Sequence, residues 1–373
     1  MKFVVSSSAL YAKLQQIKSV VPSKASLAIL ESFLFDIQGT TLTMTASDAE
    51  TTLVTSMELV SSDSDGKVAI QSKLLLDTLA EFPEQPITFY IDNENLSIKM
   101  EAMNGNYNLI GQNGLEYPTL PTLSEDKQSI KMSAKVLRNG IQKTLFAAAD
   151  DDMRPIMTGV YFDIATDKFT MVATDAHKLV RYTVCGVENE SPTSFILSKK
   201  PANAILSVLK DEEEVKITFD SKNILIELVN FTLVCRQIEG KYPNYNAVIP
   251  TNNDKKIIVD RQSFLSAVRR VSIYANDATE LMKFEISAGK FEISADDLEF
   301  SVAAKETMVC QYDGEPIRIG FKAKFIQSIV KNIDSNEIII SLVDSSRAGL
   351  ILPVENVENT ELLSLVMPMI LND

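Results

Sequence analysis

The chain has 373 residues, of which 45% are hydrophobic and 23% charged. Those are ordinary globular proportions, and they exclude a fully disordered chain, a collagen and a coiled coil. The formal net charge of −14 taken alone argues against nucleic acid and anionic membranes as partners. At ~100–200 residues per domain, the length predicts two to four domains. Three cysteines, Cys185, Cys235 and Cys310, stand far apart with no C-x-x-C spacing. A disulfide framework and a zinc site are therefore not expected, and each cysteine reads as a buried, reduced thiol. His177 is the single histidine, so zinc enzymes, Ser-His-Asp hydrolases and histidine acid–base pairs would all rest on one residue. No apolar run reaches the ~18 residues of a membrane helix. The N-terminal MKFVVSSSALYAKL is broken by serines and Lys13 and lacks a signal peptide's continuous apolar region. A cytoplasmic protein is expected.

Taken in chain order, Leu10, Leu14, Ile17 and Val21 fall on one helical face and predict a helix over 7–21, capped by one of Ser6 to Ser8. Phe35-Asp36-Ile37 and Thr45-Ala46-Ser47-Asp48 follow, with the alternation of Leu42-Thr43-Met44-Thr45 marking half-buried strands. Val68 to Lys73 then reads as a strand leading into a helix over 71–82, followed by two strands. A Tyr117-Pro118 linker runs to Lys127, and the series begins again. A helix over 133–148 opens at Ser133 and aligns Leu137, Ile141 and Leu145. Phe162-Asp163-Ile164 precedes Ala173-Thr174-Asp175, and Phe195 to Lys199 leads into a helix over 198–211. A second linker opens at Tyr242-Pro243 and runs to Asn253. The third series has a helix over 260–275, capped by Asp260 and carrying Phe264, Val268 and Val271. Phe284-Glu285-Ile286 precedes Ser294-Ala295-Asp296, and Ile317 to Lys322 leads into a helix over 321–333.

The three series are one repeat. Asp48, Asp175 and Asp296 are 127 and then 121 residues apart, while Lys73, Lys199 and Lys322 are 126 and 123 apart. That period exceeds the ~20–50 residues of a solenoid unit and is the size of a domain. The expected fold class is α+β, with three tandem similar domains at 1–125, 126–252 and 253–373. Each holds two helices packed on antiparallel sheets of about eight strands.

Charge separates along the same lines. The six predicted helices carry a net +11 and the remainder −25. One basic helix is a solvated face, but six in so acidic a chain point to a shared polyanion. Six helices spaced ~8–10 Å apart in a ring leave a hole of roughly 8 Å, too narrow for a DNA duplex. Twelve leave roughly 25 Å, enough for a duplex and its water. Two copies joined head to tail, first domain to third, supply twelve.

The three tandem repeats, Ala173-Thr174-Asp175-Ala176-His177-Lys178-Leu179, the N-terminal Met1-Lys2-Phe3 and the terminal Val366-Met367-Pro368-Met369 together resemble the bacterial DNA polymerase III beta subunit. That family comprises ring-shaped sliding clamps. The resemblance runs along the whole chain. It implies a head-to-tail dimer closing a six-domain ring, which holds a polymerase on DNA without catalysis, cofactor or metal. It also implies sequence-independent contact with double-stranded DNA, since phosphate contacts carry no sequence information. The candidates are Lys13, Lys24, Lys73, Arg138, Lys143, Lys199, Lys200, Arg269, Arg270, Lys322 and Lys324. The family's peptide pocket implies a lining of Arg154, Met157, Thr174, His177, Leu179, Pro243, Val248, Leu365, Met367, Pro368 and Met369. Short linear motifs would dock there from the polymerase III alpha subunit, the clamp loader delta subunit, other polymerases, ligase and mismatch-repair proteins. Flexible methionines suit one pocket serving many peptides. Lys178 and Ile370 stand where relatives often have arginine. The implied dimer contact joins Tyr107 and Leu109 to Ile273 and Tyr274, with Lys99 near Glu299.

Two other readings compete. A metal-dependent nuclease could gather Asp150, Asp151, Asp152 and Asp175 around magnesium, although adjacent aspartates point in different directions. A repeat-built acidic adhesin accounts for the repeats and the net charge, but not for the basic helices or the missing signal peptide.

Overall fold

The structure, a computed structural model, describes residues 1–151, 153–211 and 213–371. Six α-helices are α1 Ser7–Ile17, α2 Ser72–Ala80, α3 Ala134–Thr144, α4 Lys199–Val208, α5 Arg261–Ser272 and α6 Ala323–Lys331. All six expected helices are there, each three to five residues shorter than the periodicity suggested. Short 3₁₀ turns, Lys18–Val20 and Leu145–Ala147, continue α1 and α3. The expected caps also form. The Ser6, Ser133 and Asp260 side chains accept from the backbone N–H of Ala9, Val136 and Ser263, satisfying donors that a helix N-terminus leaves without partners.

Three strands, not two, follow the even-numbered helix of each repeat, with a further two-residue strand, Gln112–Asn113, in the first: Pro86–Ile91, Ser97–Ala102 and Gly105–Ile110 after α2, Glu214–Phe219, Asn223–Glu227 and Phe231–Arg236 after α4, and Glu337–Leu342, Gly349–Pro353 and Thr360–Val366 after α6. The third strand in each case has a distant partner or an open edge, so short-range turn signals do not reveal it.

Contacts divide the chain into two compact units, residues 1–138 with 200–237, and 139–199 with 238–373. Sheets continue from one repeat into the next, which is why the units cut across the repeats. In the first unit, a nine-stranded antiparallel sheet has Thr51–Glu58 beside Phe231–Arg236 at its middle, with Leu53 opposite Leu233. A five-stranded sheet lies in the same unit and ends at Gly105–Ile110. Phe3, Phe35 and Phe89 form its core, with the Phe3 and Phe89 rings stacked at 4.7 Å. In the second unit, an eight-stranded sheet joins Lys178–Cys185 to Thr360–Val366, and a four-stranded sheet ends at Val302–Val309. There Phe264, Phe284, Phe291 and Phe321 are fully buried and mutually tilted.

The repeated aspartate has a structural cause. Asp48 Oδ1 accepts the N–H groups of Glu50 and Thr51, and Asp175 Oδ1 accepts those of His177 and Lys178. Each closes a tight turn in which an alanine, Ala49 or Ala176, adopts positive φ, and a local carboxylate bond stabilises such a turn. In the third repeat the residue with this role is Asp297, which accepts from Glu299 and Phe300. Asp296 instead holds the Lys283 ammonium at 2.6 Å. Asp297, and not Asp296, is thus the counterpart of Asp48 and Asp175. With Asp297 in its place, the spacing from the first acidic residue is 12 in all three repeats.

Of the cysteines, Cys235 and Cys310 are buried and Cys185 is exposed, which corrects the expectation for the last. Cys185 ends its strand, where burial on the sheet face gives out.

Candidate nucleic-acid and partner interfaces

The observed helices hold twelve Lys or Arg and one acidic residue, Asp77. The eleven candidate DNA cations fall into distinct environments. Lys24, Lys73, Arg269 and Lys324 are exposed, and among the described residues no ion pair holds any of them. Lys13 donates to the Thr55 hydroxyl at 3.3 Å and lies over the Phe231 ring. Partial burial and, second, the nearby Lys210 charge hold its ammonium below the usual lysine range. Arg138, Lys143, Lys199, Lys200, Arg270 and Lys322 each hold a carboxylate, those of Asp211, Asp334, Asp150, Asp48, Glu306 and Glu280 respectively. The Arg270 fork is bidentate, with both bonds at 2.7 Å. Sequence reading passed over Lys18, Lys135, Lys210 and Lys331, all exposed, although the helical charge count included them.

The residues expected to line a peptide pocket all lie in the second unit. Thr174, Leu179 and Leu365 are cross-strand neighbours on one face of the eight-stranded sheet, since Leu179 pairs with both of the others. They are buried, and Leu179 and Leu365 belong to a core cluster with Val172, Leu350 and Leu363. The second linker lies against this face. Tyr242 stacks on Tyr161 at 4.5 Å, and Tyr245 donates its hydroxyl proton to Asp163 at 2.6 Å. Burial, and then Asp163, raise the Tyr245 phenol well above its ordinary pKa. Pro243 and Val248 ride on the anchored linker and are exposed. Arg154 donates to the Asp175 carbonyl at 3.1 Å and to the Asp151 carboxylate at 2.8 Å. Met157 closes the short turn that follows Arg154 and bonds through its carbonyl to the Ala149 N–H.

The C-terminal segment completes the surround. Met367 donates its N–H to the His177 carbonyl, and Met369 donates to that of Gly320, both at 2.8 Å. A Cβ at Gly320 would stand 2.7 Å from a Leu371 methyl and 2.9 Å from the Met369 carbonyl, so a glycine there permits the close approach. Pro368 is half-buried between them. Of the residues expected to line a pocket, Thr174, Leu179 and Leu365 are thus buried, whereas Pro243, Val248, His177 and Met367 are exposed. Ile370 is 88% exposed. Lys178 is buried, paired with Asp175 and set over the Phe325 ring.

Phe325 escaped sequence reading. Its ring stacks on His177 at 6.1 Å and also lies under Lys322. It falls inside the apolar stripe of α6, and periodicity alone makes it core. Tyr161, Tyr242 and Tyr245 were likewise missed as supports, although both linkers open with Tyr-Pro.

The strand Gly105–Ile110 pairs on one side only, with Ser97–Ala102, and so leaves an open edge in the first unit. Tyr107 packs edge-on against Phe82 at 5.1 Å and is 39% exposed, while Leu109 is half-buried. In the second unit Val302–Val309 is likewise an open edge. Ile273 and Tyr274, just past α5, are exposed, as are Glu299 and Phe300 beside that edge. Lys99 is exposed; its ammonium lies over the Tyr90 ring at 5.7 Å and 4.0 Å from the Glu101 carboxylate.

Asp150 and Asp151 are each taken up by a cation, Lys199 and Arg154, whose hydrogen bonds hold both carboxyls below the usual range. Asp175 holds Lys178, and Asp152 lies outside the described residues. Among the described residues no group of three or more His, Cys, Asp or Glu could hold a metal ion. Among them also, no helix is long and apolar enough to cross a membrane.

Comparison with known proteins covers nearly the whole chain. Three family models match in order: DNA polymerase III beta subunit, N-terminal domain, over 1–121, central domain over 131–244, and C-terminal domain over 246–370. Curated relatives include the beta sliding clamps of Pseudomonas putida, 26% identical, and Haemophilus influenzae, 27% identical; in each case 99% of this chain and 100% of the relative are covered. Among solved structures, a Pseudomonas aeruginosa sliding clamp is 24% identical with a TM-score of 0.93. A Bartonella birtlesii sliding clamp bound to griselimycin is 25% identical with a TM-score of 0.92. Both cover 100% of each chain.

Proposed function

The chain belongs to the DNA polymerase III beta subunit family, and on that premise we propose an assignment of its surfaces to DNA, to a second copy and to partner peptides. It is a DNA sliding clamp, a processivity factor with no catalytic role of its own. Two copies close head to tail, and duplex DNA threads the opening. The observation that carries this reading is the charge split. Helices bearing twelve cations and one acid belong to a chain of net charge −14, so an anionic polymer is attracted to the helices and repelled elsewhere. Lys24, Lys73, Arg269 and Lys324 are the foremost DNA contacts, because among the described residues no carboxylate pairs with them. Contacts of this kind, made to phosphate and largely through water, bind without reading sequence and permit sliding.

The three domains are 1–125, 126–252 and 253–373. The dimer forms where the open edge Gly105–Ile110 of one copy meets the open edge Val302–Val309 of the other, continuing one sheet into the next. Tyr107, Leu109, Ile273 and Tyr274 fill the joint, and Lys99 pairs with Glu299 across it. The groove walled by Val248, His177 and Met367 takes short apolar-ended peptides from the polymerase alpha subunit, the clamp loader delta subunit and repair proteins. The relative solved bound to griselimycin supports a ligand site in the family. The protein works in the cytoplasm.

Negative-stain imaging tests the assembly. The expected particle has a central opening ringed by six lobes. A solid particle, or three lobes around no opening, overturns the reading.

A further inference from the structure

Four of the helix cations share a bonding pattern. Lys143 Nζ donates to the carbonyl of Asn332, the C-terminal cap of α6, at 2.7 Å and to Asp334 at 2.6 Å. Lys200 Nζ donates to the carbonyl of Val20, the last residue of the turn that continues α1, at 2.9 Å, and to Asp48. Lys199 Nζ donates to the carbonyl of Ala148, which ends the turn after α3, at 3.0 Å, and to Asp150. Arg138 donates to the Leu209 carbonyl, just past α4, and to Asp211, the latter at 2.6 Å. In every case a helix cation reaches the carbonyl end of another helix, together with a nearby loop aspartate.

The chemistry explains the pattern. The last carbonyls of a helix have no partner within the helix and carry the negative end of its dipole. A cation there satisfies an acceptor and a partial charge at once, and the aspartate neutralises what remains. Such a cation is a poor phosphate ligand, because recruiting it breaks two bonds and exposes a carboxylate to the DNA. The Lys143 side chain is only 16% exposed; that of Lys200 is 41% exposed and is held by its two bonds rather than by burial.

Two of the four bridge matched family segments. Lys200 lies in the central segment and Val20 and Asp48 in the N-terminal one, while Lys143 lies in the central segment and Asn332 and Asp334 in the C-terminal one. We propose that Lys200 and Lys143 are positioning residues that clasp the central domain to its two neighbours by capping their helix ends, and are not DNA ligands. The inference rests on the three-domain clamp reading and refines it. Each clasp lies within one compact unit and ties a helix of the central domain to a helix end of its neighbour.

The test compares Lys143→Gln and Lys200→Gln with the arginine variants in the intact dimer. Amide exchange is read at Ile333 and Val21, whose N–H groups bond within the capped helix ends. Exchange there should accelerate at least fivefold in the glutamine variants and return to within twofold of the parent in the arginine variants. The salt slope of DNA association should stay unchanged, against a fall of about 0.9 for each lost phosphate contact. Asp334→Asn, which leaves the carbonyl bond in place, provides a milder second variant and should accelerate Ile333 alone. Unchanged exchange in the glutamine variants, or a shallower slope in them, overturns the proposal. Loss of retention on circular DNA by the parent protein would instead overturn the clamp reading, so the two failures are distinguishable.

Discussion

Lys24, Lys73, Arg269 and Lys324 are exposed, and among the described residues no carboxylate holds them. Changing all four to glutamine removes four charges per chain. If each meets a phosphate, the slope of log affinity against log salt falls by about 0.9 per residue, or about 3.6 per chain. The control is the quadruple glutamine variant of Arg138, Lys143, Lys199 and Lys200. Those residues form near-neutral pairs with Asp211, Asp334, Asp150 and Asp48. Beyond the ~8–10 Å screening length such a pair looks uncharged, so its slope should change by less than about 1. The assay is anisotropy of a labelled duplex titrated with each protein from low to moderate salt, and circular dichroism checks that both variants fold. Equal slope changes in the two variants would refute the division, and a larger change in the control would reverse it.

Replacing Tyr107 and Leu109 by alanine removes the apolar filling of an open edge. At ~2 kcal/mol or more for each such interface residue, dimer dissociation should strengthen by three orders of magnitude, and light scattering at micromolar concentration should report monomers. A persistent dimer counts against that edge. Val248→Ala with Met367→Ala truncates two rim residues that are 57% and 42% exposed. Affinity for a short apolar-ended peptide should fall about tenfold, equivalent to ~1.4 kcal/mol, while the melting temperature holds; calorimetry giving an unchanged affinity would remove these residues from the site. Acid should weaken the fold by a defined route. Asp150, Asp151, Asp220, Asp260 and Glu306 are all held below their ordinary range, and Asp344 down to about 2. Depressed carboxylates give stability that is present above ~4 and lost as pH falls through the folded-state values. The urea midpoint should therefore be flat from pH 6 to 5 and drop steadily between 4 and 2; a midpoint that rises on acidification contradicts this.

Local pattern carried much of the architecture. Leu10, Leu14 and Ile17 marked a helical face, and Ser133 and Asp260 marked starts, because periodicity and capping are short-range physics. The repeat was legible for the same reason, since an aspartate that closes a turn two and three residues on leaves a recurrent mark. Its displacement by one residue at Asp296 and Asp297 shows the limit of that signal, because adjacent carboxylates are told apart only by where each points. Pairing of Thr51–Glu58 with Phe231–Arg236 was not legible, since alternation identifies a strand and not its distant neighbour. Nor did the charge count reveal that Asp150, Asp334 and Asp48 sit where they neutralise Lys199, Lys143 and Lys200. That is a tertiary fact about loops at helix ends. Phe325 was hidden by its place in a regular apolar stripe, and only the tertiary approach of His177 and Lys178 reveals its ring beside them.

Encirclement is a topological property, and a nicked circular plasmid tests it. Protein loaded by its clamp loader should stay on the circle through gel filtration in moderate salt, then be lost when a restriction enzyme opens the circle and gives it an end to slide from. Equal retention on circular and linear DNA would mean adhesion to a surface, and would contradict encirclement.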